Sequence, residues 1–309
     1  LRESQLKVRE SKQVVRRRPS KSWRRRITPY LFIAPNLLIF LTFIIWPAFR
    51  GFYISFFDSM DGSNFTYVGT ANYEAIFSDP LVATVAKNTT TYVVFYMLIS
   101  TLLSLAFAIF INEQRFARNF FRAIIFLPVM LSPVVVGLIW NDVLDRKVGP
   151  LNTLLEMAGG GSPGWLVEPT LGMIAVIFVG IWVHLGFYTI ILLAGLQGID
   201  RSLFEAAAID GATRWQITTK ITLPLLKPTT LIIIILATIH GFQSFDFIYT
   251  LTGGGPLGAT TLIVQYIYDR AFQTPIQYGL GSAAGVILFM IIFAFTALNF
   301  LIGRRKEAV

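Results

Sequence analysis

Six apolar runs, parted by short polar stretches, organise the sequence: about Tyr30–Phe49, Thr91–Ile111, Ala123–Trp140, Leu171–Leu196, Thr229–Phe247 and Gly281–Ile302. Each approaches or exceeds the roughly 20 residues an α-helix needs to cross a bilayer. The pattern predicts an all-α integral membrane protein with six transmembrane helices. Pro35 and Pro47 lie near the ends of the first run, where neighbouring helices can satisfy the carbonyls they free.

The polar stretches alternate in charge. Before the first run stands "VVRRRPSKSWRRR", Val14–Arg26. Phe57–Pro80 carries Asp58, Asp61, Glu74 and Asp79 but no Lys or Arg. Asn112–Arg122 holds Arg115, Arg118 and Arg122, whereas Asn141–Thr170 sets Asp142, Asp145, Glu156 and Glu168 against Arg146 and Lys147. The next stretch has Arg201, Arg214, Lys220 and Lys227, and the chain ends in "GRRKE", Gly303–Glu307. By the positive-inside rule both termini and the stretch around Ser202 are cytoplasmic, which requires an even number of crossings. The predicted organisation is a basic cytoplasmic tail over 1–28, a six-span domain over 29–303 and a short cytoplasmic tail over 304–309.

Composition narrows the classes. Of 309 residues, 54% are hydrophobic and 14% charged, against about 25% charged in soluble domains. The net charge of +9 is concentrated in the N-terminal tail. Beside an apolar run such a tail marks the cytoplasmic side of a membrane rather than a nucleic-acid site. The first run lacks a small-residue cleavage site and reads as a retained anchor. There is no cysteine, which excludes a disulfide framework, a thiolate zinc site and a cysteine nucleophile. His184 and His240 are the only histidines, too few for a His-rich metal site.

One cytoplasmic stretch stands out: "SLFEAAAIDGATRWQITTKITLPLLKP", Ser202–Pro228. Ser202 with Glu205 three residues on reads as a capping box, Asp210-Gly211 as a helix stop, and Thr213 with Gln216 as a second capping box. The predicted unit is helix, tight turn, helix, the second helix running to Pro224. Leu203, Phe204, Ala207 and Ala208 share one face of the first helix. Such a face suits a groove on a partner protein or, alternatively, a lipid surface. Glu205 and Asp210 on the polar face, where a lipid-bound helix wants Lys or Arg, favour the partner.

These residues carry a resemblance. Glu205-Ala206-Ala207, Asp210-Gly211-Ala212, Ile221, Leu223-Pro224 and Pro228 resemble the EAA loop of binding-protein-dependent ATP-binding-cassette (ABC) importer permeases. "GIWVHLGFYTIILLAGLQGID" (Gly180–Asp200) and "FQSFDFIYTLTGGGP" (Phe242–Pro256) resemble the carbohydrate permeases of the maltose and glycerol-phosphate type, specifically the first of two non-identical subunits. The likeness covers about Thr28 to Arg304. Ile217 stands where the family pattern leads one to expect Phe. The resemblance implies a type I ABC importer permease fold in a bacterial inner membrane, with Ser202, Glu205, Ala206, Ala207, Asp210, Gly211 and Ala212 in a coupling helix (the EAA loop, 200–228). It implies as partners a second permease subunit, two copies of a cytoplasmic ATPase that bind ATP and magnesium, and an extracytoplasmic, periplasmic or lipid-anchored binding protein. The chain has no G-x-x-x-x-G-K-[ST] phosphate loop. No catalytic residue, metal or cofactor is expected in it.

Polar groups inside spans are costly and face a cavity or a partner. His240, Gln243, Asp246 and Tyr249 recur every three residues in the fifth run; Asn88, Tyr92 and Tyr96 recur every four in the second; His184 and Tyr188 share a face in the fourth, with Trp182 nearby. Aromatic rings beside hydrogen-bonding groups suit sugars, and helix–helix hydrogen bonding is the competing role. "LTGGGPLGAT" (Leu251–Thr260) reads as a flexible periplasmic turn and "GGGSPGW" (Gly159–Trp165) as plain linker. The rival class, an ion-coupled secondary transporter of a small polar solute, needs ionisable groups at the midplane; Asp246 is the only acid near a span interior and reads as close to its outer end, and such a transporter has no reason to carry the doubly capped cytoplasmic segment. A membrane enzyme needs clustered acids or a nucleophile–base pair, and neither is present.

Overall fold

The computed structural model describes residues 23–113 and 118–305. Most of the basic tail predicted over 1–28, Arg115 with its neighbours, and residues 306–309 lie outside them. The chain divides into two units at Arg50–Gly51.

The first unit holds α1 (Trp23–Phe40), a π-helical turn at Leu41–Ile45 and the start of α2 (Trp46–Ile54). Pro47 offers no N–H to the turn before it, and its ring crowds the carbonyl four residues back. Widening that turn by one residue relieves the clash. The apolar window of Pro29–Ile54 buries none of its residues.

The second unit continues with a short hairpin, β1 (Phe57–Asp58) and β2 (Thr66–Tyr67), pairing antiparallel. Asp61 builds its turn by accepting from the Ser63 and Asn64 N–H groups at 2.9 and 2.8 Å. These bonds, the Asn64 one foremost, hold its carboxyl down at about 2. Then come α3 (Ala71–Ser78), α4 (Pro80–Glu113), α5 (Arg118–Phe126), a 3₁₀ turn (Leu127–Met130), α6 (Pro133–Val143), α7 (Pro150–Met157) and α8 (Pro169–Gln197). They are followed by α9 (Arg201–Ile209), α10 (Arg214–Ile217), a π turn (Thr218–Thr222), α11 (Leu223–Leu225), α12 (Lys227–Gln243), α13 (Asp246–Leu251), α14 (Ile263–Phe272) and α15 (Tyr278–Arg305).

Among the described residues, four helices are long and apolar enough to cross a membrane, and two bent pairs bring the number to six if each pair is one span. The third predicted run is one of these pairs: its halves bend by 99°. Pro128 tightens the first half into a 3₁₀ turn, and Pro133 pushes Ser132 into extended backbone, so one straight helix over Ala123–Trp140 is not formed. The fifth run is entered through a 66° bend between Leu225 and Lys227, where Pro224 and Pro228 remove two backbone donors. It ends at Gln243, four residues short of the prediction, and restarts as α13.

The core lies where α4 packs along α8, with α12 against α4 and α15 against α12 and α14. Tyr92, Tyr96, Tyr188, Leu192, Leu193 and Ile233 are fully buried there. Beyond α6, the predicted linker Gly159–Trp165 is pinned rather than free: the Trp165 indole donates to Asn152 Oδ1 at 2.8 Å, Asn152 donates to the Pro163 carbonyl at 3.1 Å, and Ser162 donates to Glu156.

Gly186 of α8 lies directly against the Ile125 carbonyl, where a β-carbon would overlap backbone. Gly186→Val is expected to force α5 and α8 apart at a cost of about 1–3 kcal/mol. A thermal-unfolding scan of the purified protein checks this: a clear fall in midpoint is expected, and an unchanged midpoint would contradict the packing described.

Candidate functional site

The Ser202 segment folds as helix, turn, helix. Its first cap is not the predicted Ser202–Glu205 box. Asp200 is the N-cap, accepting from the Ser202 N–H at 2.9 Å, and Ser202 lies inside the first turn. That backbone bond, with a second from the Ser202 hydroxyl, lowers the Asp200 pKa, so the cap survives into acid beyond the ordinary aspartate range and is lost only as pH falls through the lowered value. Glu205 instead pairs with Arg201 at 3.1 Å, one turn back, both side chains largely in solvent. Gly211 turns the chain at φ +73°, with open space where a β-carbon would be. It is glycine for its backbone angle, not for room. Asp210 is the C-cap of α9, and the Ala212 N–H closes the turn on the Ala207 carbonyl at 2.9 Å. The second box is present as predicted: Thr213 N–H donates to Gln216 Oε1 at 2.8 Å and Gln216 N–H to Thr213 Oγ1 at 3.3 Å.

The predicted apolar face is divided. Ala207 is buried and Phe204 half-buried, while Leu203, Ala206 and Ala208 stay exposed. Ile209 is 86% and Trp215 75% exposed, so the apolar surface offered outward runs from Leu203 through Ile209 to Trp215. Arg214 reaches Glu113 at the end of α4 at 3.7 Å, which places the segment beside that helix end.

At the other end of α12 the polar residues form a chain of contacts between helices. Tyr96 and Tyr188 hydroxyls meet at 2.9 Å, and Tyr188 Oη meets His240 Nδ1 at 2.8 Å. Tyr92 Oη lies 3.1 Å from Ser244 Oγ, which donates to the His240 carbonyl at 2.8 Å. His184 lies 5.0 Å from His240, ring to ring, and its Nδ1 contacts the Gly180 carbonyl at 3.1 Å. Asn88, a turn or two along α4, donates to the carbonyls of Gly258 and Thr261 at 2.8 and 3.3 Å. The α4 row Asn88, Tyr92, Tyr96 therefore joins three partners in turn: the glycine-rich loop, the end of α12, and α8.

Gln243, Asp246 and Tyr249 are exposed, but they do not continue one helical stripe from His240, because α12 stops at Gln243 and the backbone turns extended at Ser244. Asp246 and Tyr249 share a face of α13 instead. The Tyr249 ring lies tilted against Phe245 and edge to face against Tyr268, at 5.3 and 5.4 Å between ring centres. Trp182 meets Trp140 edge to face at 5.5 Å and lines a cavity of about 810 Å³ between α4 and α8 with Phe95, Phe178 and Leu185.

The glycine-rich loop is not a loose turn. Thr260 Oγ1 donates to the Gly255 carbonyl at 2.7 Å, Gln265 to Gly253 at 2.8 Å and Asn141 to Leu251 at 2.7 Å. A loop without regular structure leaves carbonyls that lack backbone partners, and these side chains take them up.

Residues 100–308 match the family described as "Binding-protein-dependent transport system inner membrane component". The chain belongs to that family. This permease is 35% identical to the trehalose/maltose transport system permease protein MalF of Thermococcus litoralis, over 90% of this chain and 94% of the relative. It is 32% identical to the sn-glycerol-3-phosphate transport system permease protein UgpA of Agrobacterium fabrum, over 89% and 94%. Its fold matches a chain of the crystal structure of a bacterial ABC transporter that imports the acidic polysaccharide alginate, with TM-score 0.81 and 26% identity over 91% of this chain and 97% of that one. A second structure, the alginate ABC transporter in complex with alginate pentasaccharide-bound periplasmic protein, matches at TM-score 0.82 and 27% identity over 93% and 98%.

Several residues of the permease escaped sequence reading. Asp200 carried a signal, an Asp two residues before Ser202, that competed with the Ser202 box and won. Ser244 carried almost none, since an isolated serine in an apolar run reads as a tolerated polar residue. Phe245 and Tyr268 meet Tyr249 only through the break after α12. In the permease, replacing Tyr188 by Phe leaves Tyr96 and His240 without their shared partner. Because side-chain bonds between membrane helices are worth about 0.6 kcal/mol on average and at most about 1.7, a double-mutant cycle of Tyr188→Phe with Tyr96→Phe, read by thermal unfolding, is expected to give a coupling in that range. Strict additivity would remove the bond from the account.

Proposed function

We propose that the chain is one of two permease subunits of an ATP-driven importer for a saccharide, taking its load from an extracytoplasmic binding protein. The observation that carries this reading is the α9–turn–α10 unit. Both helices are capped, Gly211 fixes the reversal, and Leu203, Ile209 and Trp215 stand out from it into solvent. A rigid, exposed, partly apolar helix pair is what a cleft on another protein grips. The partner is a cytoplasmic ATPase, present in two copies, which holds the ATP and magnesium; this chain transmits its closure. Glu205, paired with Arg201 in solvent, can exchange that pair for one on the ATPase at little cost.

Both termini and this unit face the cytoplasm, as the basic loops require, and the glycine-rich loop faces outward. The six spans occupy 29–303. The second permease subunit is non-identical. Substrate passes along Trp182, Gln243, Asp246 and Tyr249, which stand at cavity or surface. Tyr92, Tyr96, His184, Tyr188 and His240 hold α4, α8 and α12 in register behind that path. An importer of this kind is favoured over an ion-coupled transporter because Asp246, the acid near a span, lies at a helix end in an exposed position rather than in the bundle.

Two variants test coupling. Proline has φ near −65° and cannot adopt +73°, so Gly211→Pro opens the turn; Glu205→Lys reverses the charge offered to the ATPase. Both are expected to insert normally, to abolish ATP-driven uptake and to weaken recovery of the ATPase with the tagged permease. Wild-type uptake in both variants would remove the coupling role from this unit.

A further inference from the structure

The connection between α6 and α8 carries an apolar face that the bundle does not use. In α7, Leu151 packs inward with Trp165 and Leu166 against the core, and Asn152 beside it is buried. On the opposite side Pro150, Leu154 and Met157 share a face at i, i+4 and i+7 spacing. All three are exposed, Leu154 to 63% and Met157 to 81%. Val148, just before the helix, is 80% exposed. The single acid of α7, Glu156, accepts the Ser162 hydroxyl and is thereby held toward the 159–165 strap. An apolar surface of this kind outside the spans marks contact with another protein or with a membrane.

Height and charge decide for the membrane. α8 has 29 residues, so it is about 43 Å long, the thickness of a bilayer with its headgroups, about 40–45 Å. Its Pro169 end therefore stands at headgroup level. α7 is tied to that level from both sides. Trp165, four residues before α8, donates to Asn152 at 2.8 Å, and the Gly149 N–H closes the turn after α6 on the Asp145 carbonyl at 3.1 Å. Arg146 and Lys147 stand in that turn and are the only Lys or Arg between Arg122 and Arg201. Both are exposed, and neither is in an ion pair among the described residues. The adjoining carboxylate, Asp145, is occupied by the backbone, accepting from the Lys147 and Val148 N–H groups at 2.8 and 2.9 Å. Phospholipid phosphates supply a layer of negative charge at this height. Long basic side chains reach it while their apolar neighbours lie against the acyl boundary.

We propose that α7 is an interfacial helix: Val148, Leu154 and Met157 lie in the headgroup–acyl boundary of the leaflet at this end, and Arg146 and Lys147 bind its phosphates. That leaflet is the outer one on the orientation given above. Through Trp165 the contact sets the depth at which α8 enters the bilayer. The proposal needs only the membrane spans and is independent of what the permease carries.

The tagged permease is recovered with its co-purifying subunits and placed in nanodiscs of phosphatidylethanolamine and phosphatidylglycerol. The chain has no cysteine, so Met157→Cys takes a single NBD label on it, and the unmutated complex treated alike gives the background. Lipids with a nitroxide high on the acyl chain are expected to quench the label strongly, those with a nitroxide near the chain end weakly, and aqueous iodide hardly at all. Arg146→Glu with Lys147→Glu should lower the ratio of lipid to iodide quenching at least about fivefold, the weight of one basic residue at an anionic surface, with a thermal midpoint near that of the parent. Strong iodide quenching without lipid quenching leaves the face in water, and shielding from both quenchers places a protein over it. Either result overturns the proposal, as does a ratio unchanged by the double reversal.

Discussion

Backbone that leaves the helix inside an apolar bundle must find its hydrogen bonds within the protein, because hydrocarbon supplies none. This permease leaves the helix repeatedly, and side chains close the deficit. Where α12 ends, the Ser244 hydroxyl donates to the His240 carbonyl and meets Tyr92. Through the glycine-rich loop, Asn88, Asn141 and Gln265 donate from three different helices to carbonyls between Leu251 and Thr261, and Thr89 accepts the Ile263 N–H at 3.0 Å. The same groups that satisfy the loop thereby tie α4, α6 and α14 to it. An apolar substitute at Asn88 or Gln265 would strand a carbonyl, not merely lose a bond.

The consequence for function is an asymmetry between the ends of α12. At its Gln243 end the helix is held through Tyr188 and Tyr92. At its Lys227 end it meets the Arg214–Leu225 helix through a 66° bend with prolines on either side. A helix of this length spans about 25 Å. On the proposed reading, a displacement imposed on α9 and α10 is carried by a stiff rod to the residues lining the path. The caps at Asp200 and Thr213 matter because a fraying coupling unit would absorb that displacement.

The spans were legible because their signal is gross: near-continuous apolar runs of bilayer length, with charge alternating between loops. The second capping box and the Gly211 turn were legible because they are local, set by residues within four positions of one another. The breaks were less so. Pro128 and Pro133 stood in plain view in the third run, but membrane helices often tolerate proline, so their presence alone did not announce a 99° bend. The end of α12 depends on Ser244 meeting Tyr92, some 150 residues away, and no local pattern encodes that. The first cap was misplaced by two residues because Asp200 and Ser202 are both good caps and only the backbone geometry chooses. Likewise the row on α4 was visible by its four-residue spacing, whereas its division among three partners was not.

The central claim is that the α9–Gly211–α10 unit docks on a separate ATPase. The chain has no cysteine, so a single cysteine at Ile209, the most exposed apolar position of the unit, gives an unambiguous cross-link in native membranes. The account predicts a cross-linked product containing a nucleotide-binding subunit, with a yield that changes when ATP is added. Cross-linking to lipid or to no protein, with wild-type uptake retained, would contradict it.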